Sequence, residues 1–226
     1  METTTIGLLA FPGMLQLDLT GPFGVFAAGP GAVLHLVGKN TVPLATSDGL
    51  LITPTISMND CPSLDVICVP GGSGILPLLE DVATLSFLRK QAENARYVTG
   101  VCTGTLVLGA AGLLQGYKAT THWSSVDLLA PFGAIYVKKR VVFDRNRVTA
   151  AGVTSGIDMA LALAVLLWGE KAAQTIALNM EYAPEPPFSS GSPETAPPDV
   201  LQALRKKNAP RQKDREEAVT RAAAKL

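Results

Sequence analysis

The chain has 226 residues, 47% of them hydrophobic, and its 19 Lys and Arg balance its 19 Asp and Glu. That is enough apolar material for a sizeable core, and zero net charge removes the field on which nucleic-acid and anionic-membrane binding depend. Three cysteines, Cys61, Cys68 and Cys102, cannot all pair within one chain and show no CxxC spacing; this argues against a disulfide framework or a zinc site and points to a reducing, cytoplasmic setting.

The opening "METTTIGLLAFPG" carries an acid and no basic segment before its apolar run, so residues 5–11 read as a first strand and not as a signal peptide. A helix is expected over 22–28. Pro22 suits its first position, where the missing N–H has no helical partner, and Thr20 is the better placed cap. Residues 33–38, 66–69 and 97–101 are short runs rich in Val, Ile and Leu, the signature of strands buried on both faces. Helices are expected at 82–95, 103–111 and 124–129. Strand and helix in alternation predict an α/β fold, a mostly parallel sheet in a three-layer sandwich.

Two antiparallel pairs interrupt this pattern. Residues 41–45 face 50–53 across Asp48 and Gly49, and 135–144 face 147–150 across Arg145 and Asn146. Helical patterns return at 157–168 and 170–180. The first of these is well short of the roughly 20 apolar residues that cross a bilayer. Residues 183–198, "APEPPFSSGSPETAPP", form a Pro-rich connector that enforces extended, turning backbone. Beyond it, 199–208 and 211–226 predict one or two charged surface helices, with partial disorder as good an expectation as docking. The expected organisation is an α/β domain over 1–182, with 183–226 as a connector and helical arm of that same domain.

The chemistry concentrates in "GVCTG", residues 100–104. Small residues two before and two after a nucleophile, between a strand and a helix, define a nucleophile elbow. A side chain at Gly100 or Gly104 would collide with neighbouring backbone, and the turn lifts Cys102 above the sheet edge. There it faces the amino end of the following helix, whose dipole favours thiolate and should make Cys102 the most acidic of the three thiols. Cys61 and Cys68 read as ordinary core cysteines. After the strand at 66–69 comes "VPGGSG", whose paired glycines let backbone approach a ligand. The N–H groups of Gly72 and Thr103 are therefore candidates for an anion-stabilising pair. No phosphate-loop pattern is present.

Asp18 stands among Leu15, Leu17 and Leu19, ahead of the expected helix. It is either a cap or a functional acid. Should it reach Cys102, the two acids would titrate as a coupled pair holding one proton between them. The histidines do not suggest a hydrolytic triad: His35 falls in a strand, His122 opens a helix, and the residue after Cys102 is Thr103.

"VPGG", "GVCTG", "THW" and "GVTSGIDMAL" occur here in the order in which they occur in the DJ-1/PfpI superfamily, and the resemblance covers about residues 6–180. The finer details, "LDLTGPFGVF" with Asp18, threonine after the cysteine and the "PPFSSGSP" connector, resemble its isonitrile hydratase branch. The resemblance implies a flavodoxin-like, DJ-1-like fold, a homodimer, no cofactor or metal, and a small-molecule isonitrile substrate, with neither nucleic acid nor membrane as a partner. It implies Cys102 and Asp18 as the catalytic pair and sets His122, Trp123, Val153 and Thr154 along the substrate pocket. Ala151 departs from the pattern, since relatives often have glycine there, and its methyl is expected near the elbow. Two alternatives stay open. One is a small-molecule sensor like those of AraC-type regulators, for whose helix-turn-helix domains residues 199–226 are too few. The other is a glyoxalase-type or redox-sensing member, which would usually carry histidine after the cysteine.

Overall fold

The computed structural model describes residues 3–226; Met1 and Glu2, with which the expected α/β domain begins, lie outside the described residues. In chain order the elements are β1 (Thr4–Leu9), α1 (Gln16–Ala27), β2 (Ala32–Gly38), β3 (Leu44–Ala45), β4 (Leu51–Ile52), β5 (Ile56–Ser57) and β6 (Val66–Val69). Then follow α2 (Ile75–Leu78), α3 (Val82–Ala92), β7 (Tyr97–Val101), α4 (Gly104–Ala110), β8 (Lys118–Ala119), β9 (Ile135–Tyr136), β10 (Val141–Asp144) and β11 (Arg147–Ala150). The chain closes with α5 (Ser155–Trp168), α6 (Glu170–Asn179) and α7 (Pro198–Ala223); two 3₁₀ turns, Trp123–Leu128 and Ala130–Phe132, precede β9.

Seven strands form one sheet in the order β10-β11-β7-β6-β1-β2-β5. Every pairing is parallel except β10 with β11. Their apolar sequences follow from this burial: β6 is buried at all four positions and β7 at all but Tyr97. Helices α1, α5 and α6 cover one face, and α3, α4 and α7 pack together on the other. The expected three-layer α/β sandwich is therefore present. Parallel strands open their carboxyl ends onto one edge, and there β1, β6 and β7 deliver the loops that build the site.

Several expectations need correction. The first helix starts at Gln16, so Pro22 lies inside it and Asp18 in its first turn. No side chain caps it; Thr20 donates to Gln16 Oε1 instead. The ring of Pro22 packs where a side chain at Gly156 of α5 would stand, so close helix contact sets this residue, not the helix start. The expected helix over 82–95 ends at Ala92, and its amino end is capped by Asp81, which accepts from Thr84 N at 3.0 Å. Helix α2 and strand β5 are too short for periodicity to reveal.

The expected helix over 124–129 is a 3₁₀ turn from Trp123 to Leu128. The first hairpin keeps only Leu44–Ala45 against Leu51–Ile52. Residues 135–144 are not one strand. Ile135 and Tyr136 pair parallel with β8, and only Val141–Asp144 pairs with β11. The turn between them falls at Arg145 and Asn146 as expected, with Arg145 at φ 54°.

Residues 198–223 form a single continuous helix through Pro210. Ala218, Val219 and Ala222 join the buried core, so the segment docks. Its amphipathic face is confined to the last three turns, which is why composition alone left disorder open.

Candidate active site

Cys102 ends β7's passage into α4 with φ 55°, the left-handed region that a non-glycine residue enters only at a cost. The turn is fastened from both sides: Cys102 N–H donates to Ala150 O at 3.0 Å, and its carbonyl accepts from Thr121 Oγ1 at 2.7 Å. The flanking glycines are required for packing. A Cβ at Gly104 would run into the carbonyl oxygens of Val69 and Pro70, and one at Gly100 would stand 3.0 Å from Thr105 Cα. The cysteine side chain is buried, 6% exposed.

Asp18 reaches the same place from α1 and is completely buried. Its Oδ2 accepts from Gly71 N at 2.9 Å, whereas Oδ1 has no hydrogen-bond partner among the described residues. Burial raises its carboxyl from 3.8 to about 7, against the lowering pull of the Gly71 amide and of Cys102. Cys102 responds to Asp18 in turn. Burial and the Asp18 charge push its thiol well up, while the Thr103 amide at the start of α4 and, more weakly, Arg215 pull it down. The expectation of an intrinsically acidic Cys102 thus fails, because desolvation outweighs the helix end. Burial and mutual charge couple the two groups: the Asp18 carboxyl is raised to about 7, and its charge in turn raises the Cys102 thiol.

The expected pair of free N–H groups at Gly72 and Thr103 is not present as such. Gly72, at φ 125°, donates to Thr103 Oγ1 at 3.2 Å. Thr103 N–H remains at the Cys102 sulfur. The residue of "VPGG" that closes on the site is Gly71, missed in the sequence although the doubled glycine was the signal. A Cβ there would stand 2.6 Å from Thr103 Oγ1, 2.7 Å from Thr103 N and 2.9 Å from Asp18 Oδ2.

His122, Trp123, Val153 and Thr154 all line one cleft of about 700 Å³, together with Thr121 and Ala151. Cys102 and Asp18 are not part of its wall; Thr121, bonded to the Cys102 carbonyl, joins the two. Residues 191–194 of the Pro-rich connector supply another wall, which composition gave no reason to expect. Ala151 borders this cleft and is half-buried, next to Ala150, whose carbonyl accepts from the Cys102 N–H. His122 Nδ1 accepts from Ser124 N at 3.3 Å and meets Ser124 Oγ at 2.8 Å. Burial, and then Arg215, lower it to about 4, so it is neutral at physiological pH. Thr154 is tied to Arg140, which also pairs with Asp158. A separate hollow of about 470 Å³ beside Phe11, Val42 and Met58 contains none of the candidate residues.

Residues 4–166 match the DJ-1/PfpI family. The chain is 59% identical over 221 residues to the isonitrile hydratase of Pseudomonas putida, covering 98% of this chain and 97% of that protein. It is 38% identical over 131 residues to the HTH-type transcriptional regulator GbdR of Pseudomonas aeruginosa, covering 57% of this chain and 35% of the regulator. Among solved structures, a THiJ/PfpI family protein from Pseudomonas syringae superposes with a TM-score of 0.94 at 43% identity, over 97% of this chain and 91% of that one.

Proposed function

The chain belongs to the DJ-1/PfpI family, and from that premise we propose that it hydrates isonitriles, R–N≡C, to N-substituted formamides, with Cys102 as nucleophile and Asp18 as the acid–base partner. The observation that carries the chemistry is the buried Asp18 carboxyl, raised to about 7 and anchored by Gly71, sharing its site with Cys102. The substrate class comes from the likeness to the Pseudomonas putida enzyme.

The resting pair carries one proton. Cys102 sulfur adds to the terminal carbon of the isonitrile while Asp18 delivers the shared proton to that carbon, giving a thioimidate, R–N=CH–S–Cys102. Asp18, now carboxylate, takes a proton from water as the water oxygen bonds to the same carbon, and passes that proton to nitrogen. The tetrahedral carbon then expels Cys102 thiolate, its hydroxyl proton returns to Asp18, and R–NH–CHO leaves. Water and isonitrile are consumed one for one. No amine departs, so a histidine acid is not needed, in keeping with neutral His122 tied to Ser124. Thr103 N–H supports the sulfur whenever it carries charge.

The cleft lined by His122, Trp123, Val153 and Thr154 is read as the seat of the R group. Residues 183–226 are read as an arm of the same domain, supported by the burial of Ala218, Val219 and Ala222 in the common core. We also read the protein as a cytoplasmic homodimer. Exposed apolar side chains at Val42, Leu50 and Leu51 around the β3–β4 hairpin support self-association. Among the described residues no helix is long and apolar enough to cross a membrane. The regulator relative shares only a domain, about a third of its own length. Purified protein mixed with an aryl isonitrile tests the proposal: formamide should accumulate over many turnovers, and Cys102→Ala should produce none.

A further inference from the structure

The link between β9 and β10 carries "KKR", residues 138–140, three consecutive cations in a chain whose charges balance overall. The segment is pinned at both ends. Val137 N–H donates to Ala119 O at 2.9 Å, and Ala151 N–H donates to Arg140 O at 2.9 Å. Ala151 directly follows Ala150, whose carbonyl accepts from Cys102 N–H at 3.0 Å. The cationic run is thereby fixed beside the elbow, and Lys138, Lys139 and Arg140 all line the cleft that holds His122 and Thr154. Helix α7 adds Arg205 to the same wall. Among the described residues that line this cleft, Glu194 is the one carboxylate, and His122 is neutral at physiological pH.

Two of these cations are answered. Lys138 pairs with Glu194 of the connector; Arg140 pairs with Asp158 of α5 and donates from Nη2 to Thr154 Oγ1 at 2.9 Å. Lys139 and Arg205 make no salt bridge among the described residues. They come from different elements and line one space, where like charges repel unless an anion comes between them. The cleft, about 700 Å³, is also far larger than an isonitrile group alone needs, and Trp123 and Val153 give it apolar wall. We propose that this cleft selects isonitriles whose R group carries a carboxylate, with Lys139 and Arg205 as the specificity-determining cations and Trp123 and Val153 against the apolar body of that group.

This selectivity rests on the hydration reading, with the cleft as the seat of the R group, and adds to it the charge of that group. Lys139 and Arg205 are both exposed, so each acts through a field that water and salt screen. A cleft lined by one sign of charge gathers ligands of the other sign. The cations therefore act on capture of the substrate and not on the bond changes at Cys102 and Asp18. Their effect belongs in KM and in its dependence on ionic strength.

Steady-state kinetics of the full chain with 4-isocyanobenzoate and with its methyl ester, the same aryl isonitrile without the charge, test this. At low ionic strength kcat/KM should favour the carboxylate by roughly tenfold, mostly through KM, and added salt at about 0.5 M should remove most of that preference. Lys139→Gln and Arg205→Gln combined in one chain should bring the ratio close to unity; both side chains are exposed, so the fold is not at stake. Lys90→Gln removes an exposed cation of α3 outside the cleft and should keep the wild-type ratio. Equal kcat/KM for the two substrates overturns the proposal and leaves hydration standing. So does a preference that the double variant retains, or that Lys90→Gln lowers as much. Turnover of neither substrate overturns the hydration reading itself, and the proposal with it.

Discussion

Gly71 donates its N–H to Oδ2 of Asp18 at 2.9 Å across 53 residues of sequence, while Oδ1 of the same carboxyl has no hydrogen-bond partner among the described residues. One oxygen is held, and the proposed acid–base role falls to the other. The amide can reach the carboxyl only because Gly71 has no side chain. Gly71→Ala should therefore displace Thr103 and Asp18 together. We expect kcat to fall by roughly 10²-fold or more, the scale of a lost or misplaced acid–base group, with a smaller loss of stability. Steady-state kinetics and thermal melts on the same preparation check this; an active Gly71→Ala enzyme would mean the anchor is dispensable.

The rate should follow the coupled pair and not a free thiol. In the proposed mechanism the pair loses its first proton near pH 7, where the Asp18 carboxyl is raised, and the one-proton form is the one that attacks. The expected kcat/KM profile rises through about pH 7 and stays level to alkaline pH, since the second proton is held far more tightly. A profile falling as pH rises through 7 would assign the active form to the doubly protonated state.

Asp18 also makes stability depend on pH, with a definite sign. Its carboxyl ionises near 3.8 when unfolded and near 7 when folded, so the fold is penalised as pH rises through that window. The full penalty, present above about pH 7, is on the order of 4 kcal/mol. Asp18→Asn cannot ionise and escapes it. Denaturant titrations should show the variant gaining on wild type between pH 4 and 7.5, while its turnover drops by roughly 10²–10⁴-fold. His122 has the opposite sign, destabilising the fold as pH falls below its unfolded value, and cancels because both proteins carry it. A variant that keeps turnover but melts early would return Asp18 to a structural role.

The arrangement of β1, β6 and β7 and the glycines around Cys102 were legible in the sequence because each leaves a local mark: a β-rich apolar run, or a small residue at fixed offset. What was not legible depended on contacts far apart in the chain. Pro22 read as a helix start because nothing local announces Gly156 packing on its ring. Pro210 and a run of charges hid a docked helix whose buried apolar anchors, Ala218, Val219 and Ala222, all lie near its end. The thiol of Cys102 read as acidic because a helix end is visible in sequence, and the desolvation that outweighs it is not.

Val219 supplies the test of that docking. It is fully buried where α7 meets the core. Val219→Ala should cost about 2 kcal/mol through lost burial and a small cavity, measured by denaturant unfolding. An unchanged midpoint would show that the last turns of α7 contribute nothing to stability.

Release of formamide from an aryl isonitrile by the purified chain tests the central claim most directly. Chromatographic quantitation should find many formamide molecules per protein, with none above background from Cys102→Ser. Tight stoichiometric isonitrile binding without formamide release, or undiminished turnover in Cys102→Ser, would contradict the assignment of Cys102 and Asp18 as a hydration pair.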